Sequence, residues 1–189
     1  MATPALDPAY RRVTVREFLQ MNFGEAKAEL VGGTIQMMAG AGSLHNLIAG
    51  NIFAFLRGAL RGTGCLPYGS DQAVQTSDDT IRYPDVSVFC GAGAVPTDVK
   101  QHLLGEPVAI FEVLSPSTER NDQREKLPEY CEMAGVQCVV LVSPDDQRIR
   151  QVQRLDGGGW TDKWLDRDED VVIRGLDVTL ARTDIFSTR

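Results

Sequence analysis

The stretch Pro107-Val108-Ala109-Ile110-Phe111-Glu112-Val113-Leu114 decides how this chain is read. Seven of its positions are apolar or proline, and one is a carboxylate. An apolar run of this length reads as a buried strand. Burying a lone carboxylate costs several kcal/mol unless it is paired or bound to a metal. The same event recurs upstream in Tyr83-Pro84-Asp85-Val86-Ser87-Val88-Phe89. Two acids on two apolar strands point to a shared site. Their hard oxygen donors suit Mg²⁺ or Mn²⁺ better than zinc. A purely structural alternative pairs either acid with an arginine such as Arg82.

Around these strands the elements follow from periodicity. Thr14 and Glu17 have capping-box spacing and open a helix to Met21. Ala28 to Met38 reads as a hairpin turning at Gly32-Gly33. Gly40 and Gly42 break the chain before Ser43, read as an N-cap. From Ser43 to Arg61, Leu44, Leu47, Ile48, Ile52, Phe55, Leu56, Ala59 and Leu60 recur at helical spacing, with His45 and Asn51 flanking the stripe. Ile81 to Cys90, Gln137 to Ser143, Arg148 to Leu155 and Val171 to Arg174 read as strands. Ser117 to Ala134 reads as a helix that kinks near Leu127 or restarts with Pro128 in its first turn.

Here the residues resemble a known family, the Uma-two-type restriction endonucleases of the PD-(D/E)XK nuclease superfamily. The resemblance lies in Ala28-Glu29-Leu30-Val31-Gly32-Gly33, Gly42-Ser43-Leu44-His45-Asn46 and Tyr83-Pro84-Asp85-Val86-Ser87-Val88. It continues in Phe111-Glu112-Val113-Leu114-Ser115-Pro116-Ser117-Thr118 and in Asp122-Gln123-Arg124-Glu125-Lys126 with Tyr130. It implies an α/β fold of the α+β mixed-sheet kind, a restriction-endonuclease-like core with a central mixed sheet flanked by helices. One domain fills residues 1–189, with its core at about 14–186, as the length also predicts.

The resemblance also implies roles. Asp85 and Glu112 ligate Mg²⁺ or Mn²⁺, and the Val113 carbonyl adds a ligand. Lys126 orients or helps deprotonate the attacking water, or offsets charge in the transition state. Glu29 is a further acid at the catalytic site. The superfamily's lysine usually stands two residues after the glutamate, where this chain has Leu114. Lys126, on the following helix, takes its place if that helix packs across the strand. The bland alternative for Lys126 is a solvated pair with Asp122. His45 is a candidate for the metal site or a DNA phosphate, Tyr130 for contact with the lysine or substrate, and Arg57 and Arg61 for DNA phosphates. The expected function is a metal-dependent DNA endonuclease. The alternative is an inactive nuclease-fold module that binds nucleic acid or a protein partner. A homodimer is expected by analogy, since cutting two strands needs two sites.

Composition sets limits. The 189 residues carry 19 Lys and Arg against 26 Asp and Glu, a net charge of −7, which argues against a nucleic-acid coat binding by bulk charge. Residues 31–70 hold no acid, so any DNA is expected beside the main helix and the metal cleft. The four cysteines have neither zinc nor disulfide-framework spacing and are expected as reduced thiols in a cytoplasmic protein. No secretory signal or membrane-spanning run is read. P-loop, nucleophile-elbow and complete dinucleotide fingerprints are absent from the sequence.

Overall fold

The computed structural model describes residues 11–115 and 122–188. The chain opens with helix α1 (Val15–Phe18), whose capping box is formed as expected, although the helix ends before Met21. Strands β1 (Ala28–Val31) and β2 (Thr34–Met37) pair antiparallel as the predicted hairpin. Gly32 and Gly33 have φ of 54° and 75°, which this turn needs at both central positions. Helix α2 (Ser43–Ala59) follows. Its N-cap is Gly42, not Ser43, because the backbone is extended only as far as Gly42 and Ser43 is already helical. Ile48, Ile52 and Leu56 are buried, whereas Leu44 and Leu47 at the helix start remain exposed.

Next come β3 (Cys65–Gly69), β4 (Val74–Ser77), β5 (Thr80–Arg82) and β6 (Val86–Cys90). The single strand expected over Ile81 to Cys90 is therefore two strands. Pro84 lacks an N–H for the ladder, and the chain changes sheets at Tyr83-Pro84-Asp85. Strand β7 (Ala109–Val113) is the stretch with which the reading began. Residues 116–121, which include Pro116, Ser117 and Thr118 of the motif after Glu112, lie outside the described residues. A π-helical turn (Asp122–Lys126) then leads into α3 (Leu127–Glu132), with Pro128 in its first turn as expected. The chain ends with β8 (Cys138–Ser143), β9 (Arg148–Arg154), β10 (Trp160–Trp164), β11 (Val171–Ile173), β12 (Val178–Leu180) and α4 (Arg182–Ile185).

The central sheet is mixed, in the order β10-β9-β8-β7-β6-β3, and only β7 and β8 run parallel. A parallel pair requires a crossover, and the π turn and α3 form part of it. A smaller antiparallel sheet, β2-β1-β5-β4, stands beside it, and β11 pairs with β12. Side chains alternate across β7. Ala109, Phe111 and Val113 pack into the core that contains Ile48, Ile52 and Leu56 of α2. Ile110 packs into the opposite core, with Leu127 and Tyr130. That parity puts Glu112 on the α3 side.

The cysteine expectation is corrected. Cys65 and Cys90 are direct partners in the antiparallel register of β3 and β6 and form a disulfide, with Cα atoms 4.0 Å apart. Spacing along the chain carries no trace of such a cross-strand pairing. Cys131 and Cys138 are free thiols. Among the described residues, no helix is long and apolar enough to cross a membrane.

Candidate active site

The site lies at the C-terminal end of β7, where elements from both sheets meet. Glu112 comes from β7, Asp85 from the bend immediately before β6, and Glu29 from β1. Lys126 ends the π turn, and His45 stands in the first turn of α2. Asp85, Glu112, Val113, His45, Asp122 and Lys126 line one cleft, closed on another side by Met38 to Ala41.

Lys126 is the centre of the arrangement. Its side chain is 6% exposed, and Nζ lies 3.2 Å from Glu29 Oε1, 3.2 Å from Asp122 Oδ1 and 3.5 Å from Glu112 Oε1. Burial opposes the ammonium charge, but Glu112, Glu29 and Asp122 outweigh it and push the lysine above its ordinary range. Glu112 feels the reverse balance. Burial pushes its carboxyl up, Lys126 pulls it down, and Asp85 and Asp122 add to the rise; the net direction is up. Tyr130 donates its hydroxyl to Glu112 Oε1 at 2.7 Å and is itself held neutral by burial and by that carboxylate.

Asp85 is fixed from two sides. Its Oδ2 accepts the Val113 backbone N–H at 2.7 Å and lies 3.1 Å from His45 Nε2. The hydrogen bond to Asp85 raises the His45 pKa, against the opposing effect of burial. His45 Nδ1 is buried with no hydrogen-bond partner among the described residues.

The structure thus brings Glu29, His45, Asp85, Glu112, Val113, Lys126 and Tyr130 together. The pair of Lys126 with Asp122 exists, but inside the cluster and not in solvent. Arg57 and Arg61 are exposed at the far end of α2. Arg57 lies twelve residues beyond His45, about 18 Å along the axis at 1.5 Å per residue, so neither arginine reaches the cleft.

Arg82 does not pair with Asp85 or Glu112. It is completely buried. Its Nη1 donates to Glu29 Oε2 at 2.9 Å, and its Nε and Nη2 fork onto Glu129 at 2.8 and 2.6 Å. Sequence reasoning missed Glu129 altogether. Its spacing of three residues after Lys126 on a helical segment was the available signal.

The oxygen donors at the end of β7 are the Asp85 and Glu112 carboxylates and the Val113 carbonyl. Among the described residues, no group of three or more His, Cys, Asp and Glu side chains forms a metal-ligand set. Two carboxylates and a carbonyl still fit the chemistry of Mg²⁺, which keeps several waters and typically takes only one or two carboxylates from protein.

Comparison with known proteins gives a consistent result. Residues 15–182 match the family described as Uma2, "Putative restriction endonuclease". An uncharacterized protein of Synechocystis sp. is 30% identical over 154 residues, covering 80% of this chain and 79% of the relative. A second uncharacterized Synechocystis protein is 27% identical over 150 residues, covering 78% of this chain and 84% of the relative. A crystal structure from Anabaena variabilis, described as a "putative nuclease belonging to DUF820", superposes with a TM-score of 0.75 at 18% identity, covering 92% of this chain and 97% of that one. That likeness is one of fold.

Proposed function

The chain belongs to the Uma2 family, described as "Putative restriction endonuclease", and from that premise we propose that it is a divalent-metal-dependent endonuclease hydrolysing DNA phosphodiesters. The observation that carries the reading is the buried Lys126 ammonium, 3.5 Å from Glu112 in the cleft that Asp85 also lines. In this reading Asp85, Glu112 and the Val113 carbonyl hold Mg²⁺ or Mn²⁺. When bound, the ion supplies Lewis-acid polarisation of the phosphodiester and a more acidic water.

The chain's own residues supply the rest. Lys126 presents an ammonium that remains charged at neutral pH, aimed at the place where phosphate charge grows in the transition state. The Tyr130 hydroxyl fixes the rotamer of Glu112, and the Val113 N–H and His45 fix Asp85. Glu29 holds Lys126 through its Oε1, 3.2 Å from the ammonium. Arg57, near the end of α2, and Arg61, just past it, stand too far from the cleft to meet the scissile phosphate.

The test is purified protein with supercoiled plasmid in Mg²⁺ or Mn²⁺. Metal-dependent nicking is expected, with strong loss in Glu112→Ala and Lys126→Ala. No cleavage, or cleavage unchanged in both variants, refutes the catalytic reading. One observation favours a non-catalytic module instead: the net charge of −7 opposes the approach of a polyanionic substrate. Calorimetry with Mn²⁺ separates the two. The enzyme binds the ion at millimolar or better affinity and Asp85→Asn weakens it, whereas the module shows no such site.

A further inference from the structure

The proposed reaction employs Lys126 and leaves Arg82 without a part. Yet Arg82 leads the fully buried side chains in size, at 0% exposure. A guanidinium taken out of water must be compensated by excellent geometry, and all three of its nitrogens are used. We propose that Arg82 is a positioning residue: it clamps Glu29 and Glu129 and thereby holds the Lys126 ammonium against Glu112. The catalytic consequence rests on the nuclease reading; the clamp itself rests on geometry.

The clamp acts on Lys126 from both ends. Glu129 lies three residues after Lys126, in the first turn of α3. The fork from Arg82 onto Glu129, joined by the Thr76 hydroxyl at 3.1 Å, ties β5 and β4 to the backbone that carries the lysine. The other end is the ammonium. Glu29 divides its oxygens, with Oε2 taking Arg82 Nη1 at 2.9 Å. Oε1 accepts the Tyr83 N–H at 3.2 Å and lies 3.2 Å from Lys126 Nζ. So held, the Glu29 carboxylate cannot turn.

A lysine side chain is a flexible stem with a point charge, and its partners decide where the charge rests. Without Arg82, Lys126 becomes the main cation for Glu29 and is drawn from Glu112 towards it. Lysine at position 82 keeps a charge but cannot fork onto one carboxylate while serving another.

The experiment compares wild type with Arg82→Met, Arg82→Lys and Glu129→Gln, each also in a Lys126→Ala background. Two readouts are taken: steady-state cleavage, and acylation of lysine amines followed by mass spectrometry. The chain has four lysines, and exposed Lys27, Lys100 and Lys163 serve as internal references. Lys126 is expected to be protected in wild type and to approach the Lys100 labelling rate in Arg82→Met and Glu129→Gln. In these variants kcat should fall by about 10²-fold, the scale for a catalytic group displaced by about 1 Å, with KM unchanged. Arg82→Lys should not restore it. In the Lys126→Ala background the same changes should cost nothing further, since the clamp acts through that lysine. An equal loss in that background overturns the proposal, as does unaltered Lys126 protection in folded Glu129→Gln. If Arg82→Met does not fold, the half-exposed Glu129 variant decides alone. If wild type does not cleave DNA, the nuclease reading fails, and the labelling still decides the clamp.

Discussion

The cluster around Lys126 and the ribbon of β9 and β10 are built from the same residue types and behave as opposites. In the cluster, Arg82, Lys126, Glu29 and Glu112 have side chains no more than 6% exposed. In the ribbon region, Arg148 pairs with Asp146, Arg150 with Asp162 and Lys163 with Glu169, and these side chains are between 20% and 55% exposed. Water competes for the ribbon's charges, so such pairs contribute about 0–1 kcal/mol each. In the cluster, apolar neighbours on β7, β8 and α3 have displaced the water, so each charge depends on the others. The difference teaches that a charged residue marks a site only where its surroundings leave it no solvent.

That contrast can be broken or sharpened by experiment, beginning with the largest expected effect. Removing Arg82 takes the shared guanidinium from Glu29 and Glu129, so Arg82→Met should cost about 3–5 kcal/mol in urea unfolding. A loss below about 1 kcal/mol means the cluster is solvated after all. A smaller effect should come from metal. Mn²⁺ that binds the folded state alone must raise the thermal midpoint. The rise is expected in wild type and should vanish in Glu112→Gln; an equal rise in both places the ion elsewhere. Next, Asp162→Asn removes the partner of Arg150 and should change stability by less than about 1 kcal/mol. A larger loss means the ribbon is energetically part of the cluster, through the Arg150 contact with Gln123.

The smallest effect concerns Glu17, an exposed acid. Hydrogen bonds from the Thr14 backbone and Arg11 lower its pKa from 4.5 to about 2. A depressed carboxyl stabilises the fold above its unfolded pKa and loses that contribution as pH falls through the folded value. The cap should therefore be intact above pH 4.5 and be lost towards about 2. An NMR titration of the Glu17 carboxyl with its midpoint at 4.5 contradicts the capping box seen here.

Much of this contrast was legible in the sequence, for physical reasons that can be named. Glu112 stood out because apolar residues flank it on a strand, and parity alone then sets its face. The hairpin at Gly32-Gly33 and the length of α2 follow from local rules that tertiary contacts did not override. The Arg82 fork was hidden. Arg82 ends one strand and Glu129 lies in a helix 47 residues later, and only the packing of the small sheet against α3 joins them. The break at Pro84 was available, since proline cannot continue a ladder, but alternation across it imitated one strand. The disulfide of Cys65 and Cys90 depends on register between β3 and β6, which no local pattern encodes. Strands β3, β4, β10 and β12 went unread because short, half-exposed segments carry little periodicity.

The proposed metal centre joins Glu112, buried at the end of β7, to the half-buried Asp85 just ahead of β6. Crystals soaked in Mn²⁺ and measured for anomalous scattering test it most directly. The account predicts a manganese peak with oxygens of both Asp85 and Glu112 at about 2 Å and the Val113 carbonyl alongside. A peak elsewhere, or no peak while Asp85 and Glu112 stay as they are, contradicts it.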